Sequence, residues 1–325
     1  MNHTVELSVV VPVYNGSRTI PRVVGEVSAL RIDGGLEIIL VNDGSDDDSA
    51  AVCSELVKNA SVPMTFVNLA RNFGEHNAVM AGLKAAQGQY IITIDDDLQH
   101  DPADIAAIYD HCRNGGLDVS YTYWDDKKHG LIRNLGSYLT NKMASVIMGK
   151  PKDLYFSTFR CMSRFLVDNI LRYDGPYPYI DGLILQITDK IGQRKITHHD
   201  RKIGKSGYTT RRLIRLWLNI FVNYSVMPLR LSTVIGIGLS FLGLLYAIRV
   251  IIFRLLNEAP EGWASLMSAV LLFSGAQLVV LGVIGEYIGR IHLTNNRKPQ
   301  FIVRDTVVSK PGTIAGRDEK PPSGS

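Results

Sequence analysis

Two long apolar stretches in the last third of the chain restrict its fold more than any other feature. The first, Leu231 to Leu256, contains only Arg249 and Arg254 as charged residues, and the second, Trp263 to Gly285, contains none. About 20 apolar residues cross a bilayer as a helix, so the pattern predicts two transmembrane helices within residues 231–292. A buried helical hairpin is the alternative, and an uncharged run of this length disfavours it.

Basic side chains flank the apolar stretches and predict their orientation. The loop that joins them carries Glu258 and Glu261. Because Lys and Arg favour the cytoplasmic side, both termini are expected in the cytoplasm of a multi-pass protein of the inner (cytoplasmic) membrane. The flanking basic residues are Arg201, Lys202, Lys205, Arg211, Arg212, Arg215 and Arg230 on one side and Arg290, Arg297, Lys298 and Arg304 on the other.

The apolar stretches and the segments beside them yield further expectations. Residues 209–230 mix large apolar side chains with arginines, which predicts a juxtamembrane amphipathic helix or, alternatively, a helix packed on the preceding domain. Residues 293–325 are expected to be a cytoplasmic tail, partly disordered. Gly282, Gly285 and Gly289 allow close helix packing, so a homo-oligomer is possible, although such glycines are also ordinary in membrane helices. The net charge of +4 is concentrated beside the apolar stretches, which predicts anionic lipid as a partner and not nucleic acid.

Residues 1–208 alternate short apolar segments with amphipathic ones, as expected of an α/β domain. Near-continuous apolar strands with helices between them indicate a mostly parallel sheet that is covered on both faces. Strands are predicted at Glu6–Val13, Leu36–Val41, Met64–Leu69, Tyr90–Ile94 and Asp118–Tyr123, and helices at Ser17–Leu30, Glu75–Ala86, Pro102–Arg113 and Gly182–Ile191, the last capped by Asp181.

An acidic run, Asp95-Asp96-Asp97-Leu98-Gln99, follows one of these predicted strands. Alternate residues of a strand share a face, so Asp95, Asp97 and Gln99 could point the same way. A divalent cation would relieve the repulsion between the carboxylates, and oxygen ligands suit Mg²⁺ or Mn²⁺. An acidic loop or helix cap is the alternative.

Polar residues also follow the other strands, namely Tyr14, Asn42-Asp43 and Arg71-Asn72. Ligands of parallel sheets bind at the carboxyl ends of the strands, so the pattern predicts one binding rim. No Gly-x-Gly-x-x-Gly follows the first strand, which disfavours a nicotinamide-dependent dehydrogenase. Gly204-Lys205-Ser206 lacks the upstream glycine of a nucleotidase loop and is interpreted as an anion-binding loop.

Four ordered motifs carry a resemblance to a known family: Val11-Pro12-Val13-Tyr14-Asn15, Val41-Asn42-Asp43-Gly44-Ser45, Arg71-Asn72-Phe73-Gly74 and the acidic run. They resemble glycosyltransferase family 2, which has the Rossmann-like GT-A fold. The later Arg201–Tyr208 segment and the two apolar stretches are similar to polyprenyl-phosphate glycosyltransferases, relatives of dolichol-phosphate mannose synthase. The segment Gly285–Ile291 resembles the bacterial members that use undecaprenyl phosphate.

The resemblance implies a function: inverting, metal-dependent transfer of one sugar from a nucleotide sugar, preferably a UDP-sugar, to a polyprenyl phosphate. A polysaccharide or lipid hydroxyl acceptor is one alternative, and a non-catalytic transport or assembly partner is another. The implied site residues fall into four groups. They are Pro12, Tyr14, Asp43, Arg71, Asp95 and Asp96 for the nucleotide and sugar; Asp95, Asp97 and Gln99 for Mg²⁺ or Mn²⁺; Arg160, Arg201, Lys205 and Ser206 for the diphosphate or acceptor phosphate; and Asp97, Asp181 and Arg201 for catalysis.

The chain departs from the family pattern at two positions. Gly16 stands where a Glu is frequent, and Thr158 stands where many members carry an Asp near the acceptor. Asp153 or Asp181 could replace that acid. A lipid monophosphate acceptor does not need a general base, because its second pKa is about 6 and it is already largely dianionic at neutral pH. The loss of the Asp therefore favours a phosphate acceptor over a hydroxyl.

Overall fold

The computed structural model describes residues 5–97, 102–123, 154–175, 178–196, 262–295 and 299–309, with isolated positions between 234 and 252. The chain divides into two compact units. The first comprises residues 1–142, 149–207 and 299–325, and the second comprises residues 143–148 and 208–298.

The first unit is built on an eight-stranded sheet of order β7-β5-β6-β4-β1-β2-β3-β8. Its strands are β1 (Leu7–Val13), β2 (Leu36–Asn42), β3 (Met64–Leu69), β4 (Tyr90–Thr93), β5 (Val119–Tyr123), β6 (Arg160–Ser163), β7 (Ile191–Lys195) and β8 (Val303–Val308). Its helices are α1 (Ile20–Ser28), α2 (Ser49–Lys58), α3 (Glu75–Ala85), α4 (Pro102–Asn114), α5 (Arg164–Ile170) and α6 (Ile180–Ile187).

The centre of this sheet, β4-β1-β2-β3, is parallel. Every residue of β2 is buried, and β1 is buried except at Pro12, which is partly exposed. One apolar core lies on each face of the sheet. Helix α1 contributes Ile20, Val23, Val24 and Val27 to one of them, at the spacing of a single helical face. The α/β fold with a mostly parallel sheet, predicted from the apolar pattern, is confirmed.

Three strands were not predicted, and they complete the two sides of the sheet. Strand β6 pairs antiparallel with both β4 and β5, and β7 pairs parallel with β5. Strand β8 pairs antiparallel with β3, with a register shift at Asn68/Leu69. The strand β8 lies in the segment expected to be a tail, so part of that tail belongs to the sheet of the first unit.

The helix predicted at Gly182–Ile191 differs from the structure at both ends. Helix α6 begins at Ile180, so Asp181 lies in its first turn and is not its cap. It ends at Ile187, because Thr188 adopts an extended conformation and its hydroxyl donates to Oδ2 of Asp118 at 2.6 Å. The chain then enters β7.

The described part of the second unit consists mainly of helix α7 (Trp263–Asn295), which contains the second apolar stretch. No helix among the described residues was found to have both the length and the apolar character needed to cross a membrane. Most of the first apolar stretch and the whole of the predicted juxtamembrane helix lie outside the described residues.

Candidate active site

The carboxyl ends of β1 and β4 form the point where the strand order of the parallel sheet reverses. The chain moves from β1 to β2 and β3 on one side and then returns to place β4 on the other side of β1. Ligands of such sheets bind at this reversal. Here the backbone amide of Tyr14 donates to Oδ2 of Asp96 at 3.3 Å. The ring of Tyr14 is 49% exposed, so it is available to stack on a ligand.

Gly16 adapts the loop after β1 to the acidic run. A Cβ at this position would clash with Oδ2 of Asp96. The carboxylate of Asp96 thus occupies the space that a side chain at residue 16 would need, and the absence of one at Gly16 lets the two loops approach.

The loops after β1 and β2 hold each other through side chains. Asn15 adopts a φ of 56°, a conformation that Asn tolerates better than most residues. Its amide donates to Oγ of Ser45 at 3.0 Å, and its side-chain oxygen accepts from the amide of Asp46 at 2.9 Å. These reciprocal bonds fix the conformation of the loop that carries Tyr14.

The carboxylate of Asp43 fastens the loop after β3. Its two oxygens accept from the amides of Phe73 at 2.7 Å and Gly74 at 2.9 Å. Burial raises the pKa of Asp43, and the two amide donors oppose that rise. Gly44 has a φ of 61°, and a Cβ there would clash with the backbone of Arg71 and Asn72. The loops after β2 and β3 are therefore packed backbone against backbone.

A chain of side-chain hydrogen bonds crosses the rim from β8 to the loop after β2. Asn68 donates to Oδ2 of Asp305 at 3.0 Å, and Asn42 donates to Oδ1 of Asn68 at 2.9 Å. Oδ1 of Asn42 then accepts from the hydroxyl of Ser45 at 2.6 Å. Because an ionised carboxylate only accepts, Asp305 determines which way each amide of this rim chain points.

The neighbouring acids Asp95 and Asp96 turn towards different partners. Whereas Asp96 contacts the loop after β1, Oδ2 of Asp95 accepts from the hydroxyl of Thr158 at 2.6 Å. Asp95 and Asp97 are both partly buried. Carboxylate oxygens are the donor set that Mg²⁺ and Mn²⁺ prefer, so the chemistry of these two side chains fits such an ion.

The described residues contain no group of three or more His, Cys, Asp or Glu side chains placed to hold a metal ion. Mg²⁺ is commonly bound through only one or two protein carboxylates, with substrate phosphates and water completing its shell. An ion that arrives with a phosphate-bearing ligand would need no more from the protein than one or two carboxylates such as those of Asp95 and Asp97.

A buried polar cluster lies between β5, β6 and α6. Nη1 of Arg160 donates to Oδ1 of Asp181, and the hydroxyl of Tyr121 donates to the same oxygen at 2.8 Å. Arg160 is 3% exposed and Asp181 is 8% exposed. His76 packs edge-on against the ring of Tyr179, with 5.3 Å between centroids. Burial lowers the pKa of His76 to about 4, with the nearby guanidinium of Arg160 also lowering it and Asp181 opposing.

The structure brings together many of the predicted site residues, but not all. Tyr14, Asp43, Asp95 and Asp96 lie on linked loops of the rim. Arg71 is exposed near them, with its guanidinium carbon 4.9 Å from the centroid of the Phe73 ring. Arg160 and Asp181, predicted for phosphate binding and catalysis, face each other in the buried cluster. Four predicted residues and one proposed substitute acid lie outside the described residues: Gln99, Arg201, Lys205, Ser206 and Asp153.

Sequence reasoning missed several residues that shape the rim. Thr158 was considered only as a missing acid, and Asn68 and Asp305 were not considered. Tyr121 and His76 also escaped notice. His76 follows the Arg71–Gly74 motif by two residues, and Tyr121 lies in a predicted strand, so both could have been suspected from their positions. No local signal pointed to Asp305, because its pairing depends on a contact with a distant strand.

Comparison with known proteins identifies the family. The model of Glycosyl transferase family 2 matches residues 8–171, and the model of the GtrB C-terminal hairpin matches residues 227–291. An undecaprenyl-phosphate 4-deoxy-4-formamido-L-arabinose transferase of Pectobacterium atrosepticum is 34% identical over 97% of this chain and 98% of its own length. A protein of the same name from Pseudomonas syringae pv. syringae is 31% identical over 93% of this chain and 91% of its own length.

A solved structure, glucosyl-3-phosphoglycerate synthase of Mycobacterium tuberculosis, is 19% identical and covers 66% of this chain and 79% of its own, with a TM-score of 0.47. A similarity this low has no bearing on function. The family model, in contrast, covers half of the chain, and the first relative matches almost all of it. The family predicted from the rim motifs is therefore confirmed: the chain belongs to glycosyl transferase family 2 and is a glycosyltransferase with a GT-A-like α/β domain.

Proposed function

We propose that the protein transfers one sugar from a nucleotide sugar to undecaprenyl phosphate at the cytoplasmic face of the membrane. The observation that carries this proposal is the similarity over almost the whole chain to transferases named for undecaprenyl phosphate. That similarity includes the C-terminal hairpin as well as the rim. A transferase that shared only the catalytic domain would not match in both parts.

The donor side of the reaction is assigned to the linked rim loops. Tyr14 and Pro12 at the end of β1 and Asp43 at the end of β2 would hold the nucleoside, with Arg71 beside them. Since Asp43 already accepts from two backbone amides, it acts in part by fixing the shape of the nucleoside site. Asp95 and Asp96 would line the diphosphate and the sugar.

Asp95 and Asp97, together with Gln99, would hold Mg²⁺ or Mn²⁺. The bound cation would supply charge neutralisation for the diphosphate as it leaves. The residues of the chain then have two tasks, which are to orient the donor at the rim and to place the acceptor phosphate behind the anomeric carbon.

The acceptor phosphate is the nucleophile. One of its oxygens forms a bond to the anomeric carbon while the bond from that carbon to the donor diphosphate breaks, so the configuration inverts. Arg201, Lys205 and Ser206 would offset the charge of the two phosphate groups. The dianion needs no base, which agrees with the burial of Asp181 against Arg160 and Tyr121.

The apolar hairpin would anchor the enzyme in the membrane that holds its acceptor. Large apolar side chains are exposed along the whole length of α7, and water is an unfavourable surrounding for so large an apolar surface. Those more than 50% exposed are Leu266, Val270, Leu278, Val279, Leu281, Ile288 and Ile291.

The proposal is tested with membranes that contain the full chain, undecaprenyl phosphate and a panel of radiolabelled nucleotide sugars. We expect label from one donor in the lipid extract, and loss of that label when EDTA is added and its return with Mg²⁺ or Mn²⁺. Label that appears in polymer and not in lipid would contradict the assigned acceptor. Lipid label that resists EDTA would leave the acceptor assigned but contradict the metal.

Asp97 provides the matching variant. Asp97→Asn should reduce transfer by about 100-fold or more, because even outer partners of a metal ligand are worth about 10–100-fold. The control is Asp33→Asn, which changes an exposed carboxylate in the loop that leads into β2. This loop lies at the amino ends of the parallel strands, away from the rim. Full activity of Asp97→Asn would contradict the proposal that Asp97 is a metal ligand.

A further inference from the structure

We infer that Thr158 is a positioning residue for the metal-binding carboxylate Asp95. This inference rests on the proposed function, because it concerns how the proposed metal and nucleotide site is held in shape. The direct observation is the hydrogen bond of 2.6 Å from the hydroxyl of Thr158 to Oδ2 of Asp95. The two residues are 63 positions apart in sequence, so only the fold brings them together.

The direction of this hydrogen bond is determined by chemistry. An ionised carboxylate has only acceptors, so the hydroxyl of Thr158 must donate its single proton to Asp95. One lone pair of Oδ2 is thereby used, and the bond restricts the orientation of the carboxylate. Bonds of a hydroxyl to a charged acceptor are about twice as strong as bonds between neutral groups.

The backbone around Thr158 is itself held between two strands. The hydroxyl of Thr93 on β4 donates to the carbonyl of Thr158 at 2.5 Å. The hydroxyl of Thr122 on β5 donates to the carbonyl of Phe159 at 2.8 Å. Both threonines are almost fully buried. Because its own carbonyl and that of the next residue are bound, Thr158 presents its hydroxyl to Asp95 without further rearrangement.

The hydrogen bond from Thr158 therefore orients one carboxylate oxygen of Asp95, as expected of a residue that must present its carboxylate to a cation. Metal ligands are commonly oriented by outer hydrogen bonds, and loss of such a partner costs about 10–100-fold in metal affinity or activity. Thr158 thus has a function of its own at the position where an acid was expected: it supplies a proton donor to the acidic run and not another negative charge.

The test compares Thr158→Val, which keeps the branched shape but lacks the hydroxyl, with Thr158→Ser, which keeps the hydroxyl. Binding of Mn²⁺ to the full-length protein in detergent is measured by electron paramagnetic resonance, with and without UDP as the probe nucleotide. We expect Thr158→Val to raise the Kd for Mn²⁺ by about 10-fold or more, and Thr158→Ser to restore most of the affinity.

The chain offers a closely matched control. The hydroxyl of Thr188 donates to Oδ2 of Asp118 at 2.6 Å, which is the same bond between the same residue types. Asp118 directly precedes β5 and therefore lies at the amino end of that strand, whereas the rim lies at the carboxyl ends. Thr188→Val should leave Mn²⁺ binding unchanged, and if it weakens that binding equally, the effect of Thr158→Val is a general loss of stability and the inference fails.

The remaining outcomes separate the inference from the proposed function. If the wild type binds Mn²⁺ and Thr158→Val binds it equally well, the inference is overturned and the proposed function stands. If the wild type binds no Mn²⁺ in either condition, the proposed metal site fails and the inference fails with it. Loss of binding in both Thr158→Val and Thr158→Ser would show that the shape of Thr158 matters and not its hydroxyl, which also overturns the inference.

Discussion

Asp181 illustrates how burial changes the expected role of a residue. An acid near a predicted site could act in catalysis, but here it is buried and shares one oxygen between Arg160 and Tyr121. A charge in such a place is stabilised by its partner, and removing one member of a buried pair costs about 3–5 kcal/mol. The geometry thus indicates that Asp181 maintains the position of Arg160.

We predict that Asp181→Leu lowers the free energy of unfolding by about 3–5 kcal/mol, whereas Arg160→Met combined with Asp181→Leu restores much of the loss. Thermal unfolding of the purified full chain is the measurement. As a control, Asp168→Asn alters an ion pair between the exposed Asp168 and the partly buried Arg164, whose N···O distance is 3.6 Å, and should change stability by less than about 1 kcal/mol. A stable but inactive Asp181→Leu would instead indicate a direct catalytic role.

His76 makes the stability of the folded protein depend on pH. Its pKa is lowered from 6.5 to about 4, first by burial, so the unfolded chain binds a proton here at a higher pH than the folded chain does. Where the unfolded state binds more protons, stability rises with pH. The contribution of His76 is therefore complete above pH 6.5 and is lost as the pH falls towards 4.

We predict that His76→Gln loses less stability than the wild type when the pH is lowered from 7 to 5. The midpoint of thermal unfolding, recorded for both proteins across this range, is the measurement. The difference at pH 8, where the imidazole is neutral in both states, reports the packing change alone and is subtracted. Parallel curves for the two proteins would show that His76 does not titrate differently in the folded state.

At the scale of elements, β8 connects the C-terminal segment to the loops of the rim. Asp305 begins the rim chain that passes through Asn68 and Asn42 to Ser45. Ser45 in turn accepts from the amide of Asn15, next to Tyr14. Disruption of β8 should therefore affect nucleotide binding even though no residue of β8 is proposed to touch the nucleotide.

A pair of proline substitutions tests this connection. The amide of Ser309 donates to the carbonyl of Met64 on β3, and amides of an antiparallel strand alternate between its two neighbours. The amide of Val307 consequently faces β3, while that of Val308 faces the open edge. We predict that Val307→Pro raises the Kd for the nucleotide several-fold and that Val308→Pro changes it little, as measured by calorimetry. Equal effects of the two variants would contradict the connection between the pairing of β8 with β3 and nucleotide binding.

The elements that could be predicted from sequence are those whose signal is local. Strands β1 to β5 are mostly apolar segments, and the structure has each of their bounds within one residue of the prediction. Strand β8 was missed because its residues are mostly exposed and only its pairing with β3 makes it a strand. The acidic run was found because three adjacent carboxylates are visible in the sequence, whereas its contact with Thr158 depends on the antiparallel pairing of β4 with β6.

At the scale of the whole molecule, the chain leaves the sheet at one edge and returns to it at the other. Strand β7 is the last strand on one side and β8 is the last on the opposite side. Seven inter-strand spacings correspond to about 34 Å. The long segment between these strands, which includes both apolar stretches, is thus attached to the two far edges of one domain.

The proposed topology can be tested with single cysteines. The native Cys53, Cys112 and Cys161 are fully buried, so they should give little background. We predict that a membrane-impermeant maleimide labels Glu261→Cys in intact spheroplasts, because the proposed topology places the loop between the apolar stretches on the outer side. Asp46→Cys, on the exposed rim, should be labelled only after lysis. Labelling of Asp46→Cys in intact spheroplasts would contradict the proposed orientation.

The position of β8 also has a consequence for biosynthesis. Met64 and Ser309 bond to each other across 245 residues of sequence, so the ribosome must produce both apolar stretches before the sheet can receive its last strand. Until then, the edge of β3 and the amide of Asn68 lack their native partners, and contacts this distant in sequence form late in folding. We therefore expect the loops of the rim to reach their final shape only in a chain that has been synthesised through residue 309.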